Sequence, residues 1–310
     1  MLAARRLRSP AETIHVGMQS RHFLQLLFLS AVWGASFPLI RIAAPSLGPL
    51  PMAFTRCALA AVVLSVLLRA LRHSFPAREH WRSLTILGLL TVVAPFVLFN
   101  AAGLVLPAGY SAVLNATAPL FGVIAGAIAG EERLTGRKLV GCACGLGGVA
   151  LLVQLGPLAP DLRLTLGVLA CVAASACYGC GSILMKRATM THAPLPASAA
   201  VHVASALVLL LPASATVANA HPTSNALIAI AILGTFTSGF MYWISMRLMR
   251  EISASAATSS AFLIPMFGVT WGGLFLGERF TPGMVPGVAL VLLAAGLVTG
   301  FNPLAMARRS

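Results

Sequence analysis

The chain reads as an all-α integral membrane protein, with ten transmembrane helices forming two inverted five-helix repeats. Three observations carry this: apolar runs of spanning length along nearly the whole chain, one stretch written twice in register, and a one-sided distribution of Lys and Arg. Of 310 residues, 58% are hydrophobic and 9% charged, against roughly 25% charged in a soluble domain. Runs of about 20 apolar residues cross the ~30 Å hydrocarbon layer as helices. Their continuity speaks against a membrane barrel, whose strands alternate over about ten residues.

The doubled stretch is Pro119–Gly141, PLFGVIAGAIAGEERLTGRKLVG, written again as Pro265–Gly287, PMFGVTWGGLFLGERFTPGMVPG. An offset of 146 carries Phe121 onto Phe267, Gly122 onto Gly268, Thr135 onto Thr281 and Gly141 onto Gly287. The same offset carries Leu87-Gly88 onto Leu233-Gly234, Thr91 onto Thr237 and Arg56 onto His202, and an offset of 145 carries Arg41 onto Lys186. A period this long means duplication.

Residues 1–22 form a basic tail with Arg5, Arg6, Arg8 and Arg21. The apolar run after it is too long for a signal peptide and has no small-residue cleavage site, so it reads as an uncleaved first span. Met18 is an alternative start, which makes residues 1–17 a dispensable tail. The spans read as 23–44, 51–71, 84–105, 108–130 and 136–156 in a first repeat (23–156). A second repeat (164–302) holds 164–186, 197–218, 225–248, 253–276 and 283–301, before a tail at 303–310. Short loops are punctuated by Pro and Gly.

With the N-terminus inside, 17 of the 21 Lys and Arg fall on inner segments, Arg163 and Arg279 fall outside, and Arg41 and Arg56 lie within spans. That bias predicts two cytoplasmic termini. Five is odd, so the second copy enters the bilayer from the other side. Inverted repeats of this kind support alternating access about a central site in secondary transporters.

Trp33-Gly34 with Phe37, Pro51-x-x-Phe54-x-Arg56, and the twice-written Pro…Gly-Glu-Arg-x-Thr…Gly signature resemble the EamA-type family of the drug/metabolite transporter superfamily. The resemblance covers about residues 23–302. It implies a ten-helix fold around a central cavity and movement of metabolites such as amino acids across a bacterial inner membrane. The first copy reads Gly-Glu-Glu-Arg where the second reads Gly-Glu-Arg.

Glu132, Arg133 and Thr135, and Glu278, Arg279 and Thr281, are read as a structural signature. The Thr residues sit at N-cap positions. Each Glu, unfavourable at a helix C-terminus, is expected to pair with its neighbouring Arg or to receive amides of the next helix. Glycines 122, 126 and 130 form a close-packing ridge. Pro119 and Pro265 interrupt their spans near the membrane midplane and free the carbonyls of Asn115 and Ala261.

The candidate substrate cavity comprises Trp33, Phe37, Asn100, Tyr110, Asn115, Tyr178, Tyr242, Trp243, Thr258, Ser259 and Ser260, aromatic contacts with a few orienting polar groups. Small-residue packing is the alternative for each Ser and Thr. Arg41, Arg56, Lys186 and His202 are candidates for two basic mouths that attract a carboxylate. Snorkelling and carbonyl bonding are the structural alternative.

All seven carboxylates lie in loops or at span edges, which speaks against a proton-coupled exchanger of cationic drugs. The expected partners are a small-molecule substrate and the lipid bilayer, without nucleic acid, in a monomer or homodimer. No cofactor or metal site is read: the six cysteines fall in apolar spans and Cys177-x-x-Cys180 has no His or acid beside it. The leading function is a secondary transporter exporting amino acids or related amphipathic metabolites. Alternatives are a multidrug efflux protein, a channel subunit, or a membrane enzyme, which would need clustered acids or histidines at depth.

Overall fold

A computed structural model describes residues 20–130, 134–155, 161–251 and 260–299. Among the described residues every regular element is helical. The first two helices are α1 (Ser20–Leu47) and α2 (Pro49–Ala70). α3 (Trp81–Gly88) runs through a π-helical stretch, Leu89–Val93, into α4 (Ala94–Ala102). Then come α5 (Ala108–Asn115), α6 (Ala118–Ile128) and α7 (Gly136–Leu155). The second half repeats the order with α8 (Leu162–Thr191), α9 (Pro194–Ser214) and α10 (Ser224–Ala231). A π-helical stretch at Ile232–Phe240 leads into α11 (Met241–Glu251), followed by α12 (Ser260–Leu276) and α13 (Val285–Thr299). Among the described residues seven helical stretches are long and apolar enough to cross a membrane, with shorter apolar helices at Leu263–Leu276 and Pro282–Val298.

Local chemistry accounts for the interruptions. Pro95 has no N–H for the carbonyl of Thr91, and the chain widens so that the Ala94 amide reaches Leu89 instead. In the second copy, the hydroxyls of Thr235 and Thr237 bond back to the carbonyls of Ala231 (2.6 Å) and Leu233 (2.8 Å) within the matching stretch. The span with Pro119 is two helices. Its turn tightens over Ala116 and Thr117, whose amides reach the carbonyls of Val113 and Leu114. The oxygen that draws extra donors is therefore that of Leu114, taking the Thr117 hydroxyl at 2.7 Å and the Ser175 hydroxyl at 3.2 Å. Sequence pointed one residue later, to Asn115. Pro265 lies inside α12, which continues past it.

The copies pack on each other reciprocally, through glycines. A Cβ on Gly34 would stand 2.6 Å from Phe267 Cβ and 3.0 Å from Gly268 N. On Gly179 it would stand 2.7 Å from Phe121 Cβ and 2.5 Å from Gly122 N. The opening helix of each copy thus crosses the fourth span of the other. Likewise Gly88 closes on Ser205 while Gly234 closes on Leu59, and Gly141 closes on Ala294 while Gly148 closes on Gly287. In both sets each partner is the other's counterpart at an offset of 146. Contacts in which i meets j and the copy of j meets the copy of i are those a two-fold axis imposes.

Overpacking a close crossing costs about 1–3 kcal/mol. Gly179→Leu should therefore lower the unfolding midpoint in detergent. Gly147→Ala, which meets nothing within 4 Å, should leave it unchanged. Equal melting of the two variants would rule out this account of the crossing.

Candidate functional site

α2 brings a charge into the packed interior. Arg56 is 6% exposed, and it is held by the Ser238 hydroxyl on Nε at 2.5 Å and the Thr237 hydroxyl on Nη2 at 3.4 Å. Both hydroxyls belong to the π-helical stretch of the second copy, whose altered turn aims two successive side chains at α2. The guanidinium carbon lies 3.7 Å over the Phe96 ring, a cation–π geometry worth about 2 kcal/mol once desolvated. Among the described residues no carboxylate pairs with Arg56.

Aromatic rings extend from this charge. Phe37 meets Phe99 edge-on at 5.5 Å, and Phe99 stacks on Tyr178 at 6.1 Å. Trp33 donates its indole N–H to the carbonyl of Thr237 at 3.4 Å. Tyr242 hydrogen-bonds Thr91 at 3.1 Å, joining the two threonines' π-helical stretches to one neighbourhood. His202, the repeat counterpart of Arg56, is fully buried; its Nδ1 lies 3.0 Å from the Ser198 carbonyl and its ring stands edge-on to Tyr242 at 4.7 Å. Among the described residues its Nε2 has no hydrogen-bond partner.

The other sequence candidates divide. Asn100 is buried and donates to the carbonyl of Pro49 at 3.1 Å, pinning the start of α2, while its Oδ1 has no partner; Asn115 Oδ1 is likewise buried without one. Tyr110 is 1% exposed in the apolar core. Ser260 lines a small cavity with Trp33, Leu26 and Ser245. Trp243 stands apart, edge-on to Phe240 at 5.6 Å beside a surface cleft. The four basic candidates divide: Arg56 and His202 share the buried cluster, whereas Arg41 donates to the Gly103 carbonyl at 2.8 Å, closing the end of α4, and Lys186 is exposed. Thr258, Ser259, Glu132 and Arg133 lie outside the described residues.

Thr91, Phe96, Phe99, Thr237 and Ser238 were not singled out as site residues. The signal for two of them was the duplicated Leu-Gly-x-x-Thr, which marks where both copies distort.

The signature Glu behaves otherwise than expected. Glu278 accepts the Ala108 amide at 2.6 Å and the Gly109 amide at 3.0 Å, so it caps α5 across the repeat boundary and not its own next helix. The reason is the N-cap of α5. Pro107 has no capping side chain and leaves orphan amides, while the helix after Glu278 begins with Pro282, which has no amide to offer. Gly277, at φ +66°, ends α12 in the left-handed turn that lets Glu278 reach back, its own amide bonding the Gly272 carbonyl at 3.2 Å. Thr281 stands at an N-cap position without a side-chain capping bond. Thr135 caps α7, its hydroxyl accepting the Lys138 amide at 3.4 Å.

A bundle of apolar helices with two reciprocally packed copies and a buried, carboxylate-free cation belongs to the membrane transporters. The chain is a member of the EamA-like transporter family, whose model matches residues 22–154 and again 165–300. It is 29% identical over 283 residues to the uncharacterized inner membrane transporter YedA of Escherichia coli, covering 89% of this chain and 90% of that one. It is 29% identical over 306 residues to a probable amino-acid metabolite efflux pump of Salmonella typhimurium, covering 93% and 98%. A probable terminal-alkyne amino-acid exporter of Streptantibioticus cattleyicolor is 25% identical, with 88% and 91% covered. One solved crystal structure shares the fold at a TM-score of 0.66 and 17% identity, covering 90% of this chain and 98% of the other.

Removing a carboxylate that satisfies two buried amides costs about 1–3 kcal/mol, whereas a surface change costs within about 0.5 kcal/mol. Glu278→Ala should lower the thermal midpoint in detergent and Arg279→Ala, at an exposed position, should not. If both variants melt with the parent, Glu278 does not hold α5.

Proposed function

We propose that the chain is an inner-membrane secondary transporter with ten spans, five in each inverted repeat, and both termini in the cytoplasm. Its repeats, 23–156 and 164–302, rock about a central site and export amino acids or related amphipathic metabolites. The amino-acid cargo in the names of two relatives supports the substrate class. The reciprocal glycine crossings support the inverted pair, and the bias of Lys and Arg supports the orientation.

Arg56 carries the reading. A charged side chain deep in a bilayer costs about 2.5–3.5 kcal/mol on insertion scales, more on others. Two hydroxyls and one ring offset much of this, since a hydrogen bond to a charged group contributes about 1.5–3 kcal/mol. Neutral acceptors take an N–H of Nε and one of Nη2 and leave the positive charge in place. A substrate carboxylate neutralises it, and the rings of Trp33, Phe96, Tyr178 and Tyr242 take the apolar part of the same molecule. Ser238 and Thr237 hold the guanidinium in position between turnovers.

Cells overproducing the protein should release more of one or more amino acids than cells lacking it, and vesicles containing it should move the same compounds. Arg56→Gln should reduce that flux by at least roughly ten-fold, the scale of one charge-assisted contact, with the protein still folded in detergent. A folded Arg56→Gln protein with parental flux would remove Arg56 from the substrate site. Unchanged metabolite release together with inert vesicles would remove the transporter assignment.

A further inference from the structure

A second site lies away from the central cluster, at the end of the bundle where α2 finishes, α9 begins and α11 ends. There a cleft of about 300 Å³ is walled by Leu71 and His73 after α2, Pro194 at the start of α9, and Trp243, Arg247 and Arg250 on α11. A water needs about 10–15 Å³ of such space, so the cleft takes a group far larger than water. Trp243, Arg247 and Arg250 recur at i, i+4 and i+7 and therefore form one face of α11. That face carries an apolar ring and two guanidinium groups along one wall of the cleft.

One of the two charges is fixed in place. Arg250 donates through Nε to the Thr189 carbonyl at 2.7 Å, which ties it to the end of α8. Glu251 is the cleft's one carboxylate among the described residues, and it is already engaged: Arg21 and His22 each approach it to 3.3 Å and Arg247 to 3.4 Å. Arg69 and Arg72 flank Leu71 in sequence, so this end is strongly basic. α9 adds an N-terminus with no side-chain cap, whose dipole favours an anion.

We propose that this cleft binds the phosphate headgroup of an anionic phospholipid from the cytoplasmic leaflet, its acyl chains lying along Leu71 and Trp243. A half-buried indole beside basic groups at helix ends matches the interfacial zone, where aromatic rings and headgroups share one depth. Basic pockets between spans on the cytoplasmic side suit anionic headgroups. The lipid ties α8, α9 and α11 to the membrane surface at one point. The assignment rests on the proposed orientation but not on the cargo, so metabolite release tests the cargo and lipid retention tests this cleft.

The test uses the purified full-length protein in detergent with equimolar phosphatidylglycerol and phosphatidylcholine, bound lipids being counted by native mass spectrometry. The first retained lipid should favour phosphatidylglycerol by roughly ten-fold or more, as two interfacial arginines predict. The preference should fall to near parity in Arg247→Gln/Arg250→Gln. It should persist in Arg163→Gln, at the opposite end of the 30-residue α8. It should also weaken for the unmodified protein at high ionic strength, a readout that needs no variant. Equal retention of both lipids by the unmodified protein overturns the proposal, as does a folded double variant that keeps the preference. Complete displacement of the lipid by millimolar inorganic phosphate overturns the lipid assignment in favour of a soluble phosphate site.

Discussion

Close backbone approach at a few glycines is the constraint on which the rest of the structure depends. In lipid there is no water to expel from between helices, so they associate through contact at short range. Gly34, Gly179, Gly88, Gly234, Gly141 and Gly148 permit that contact because a Cβ at any of them would meet another helix at 2.5–2.9 Å. Gly34 with Gly179 and Gly88 with Gly234 are counterparts, while Gly141 and Gly148 face each other's counterparts, Ala294 and Gly287, so each close approach is matched by its symmetry mate. The interior created between the two copies is thus a consequence of duplication, and the cluster around Arg56 lies where both halves contribute atoms.

Those polar groups follow a second rule, that every backbone donor and acceptor in such a medium needs a partner. Some of those partners come from the opposite copy: Glu278 serves amides of α5, Trp33 serves the carbonyl of Thr237, and Ser175 adds a bond to that of Leu114. A long-range hydrogen bond of this kind does more than satisfy an atom. It couples the position of one repeat's loop to the start of the other repeat's helix, so relative motion of the repeats must break or carry these bonds.

The class of fold, the duplication and the helical stretches were legible in the sequence because each is local or periodic. Apolar runs set helix lengths, Pro and Gly mark their ends, and a fixed offset exposes the repeat. What was not legible depends on which helix crosses which. Arg41 and Arg56 look alike as charges within neighbouring spans, yet one closes a carbonyl at Gly103 and the other meets Ser238. Trp243 and Tyr242 are adjacent in sequence and lie on different sides of α11, one at the surface cleft and one against His202. Glu278 had no local partner to betray it, since its amides lie 169 and 170 residues away.

Duplication also explains why the buried cluster around Arg56 is unsymmetrical. The two-fold makes two equivalent positions on α2 and α9, and if both held arginine the two like charges would sit in one dry interior. At an effective dielectric of about 20, like charges 4–8 Å apart repel by roughly 2–4 kcal/mol. The chain carries Arg56 at one position and His202 at the other, a side chain that is able to be neutral. Among the described residues, this cluster therefore keeps one cation, Arg56, and one imidazole nitrogen without a partner, beside rings drawn from both halves. A duplicated scaffold supplies the paired helices; the departure from its symmetry at this one pair of positions gives the site its single polarity.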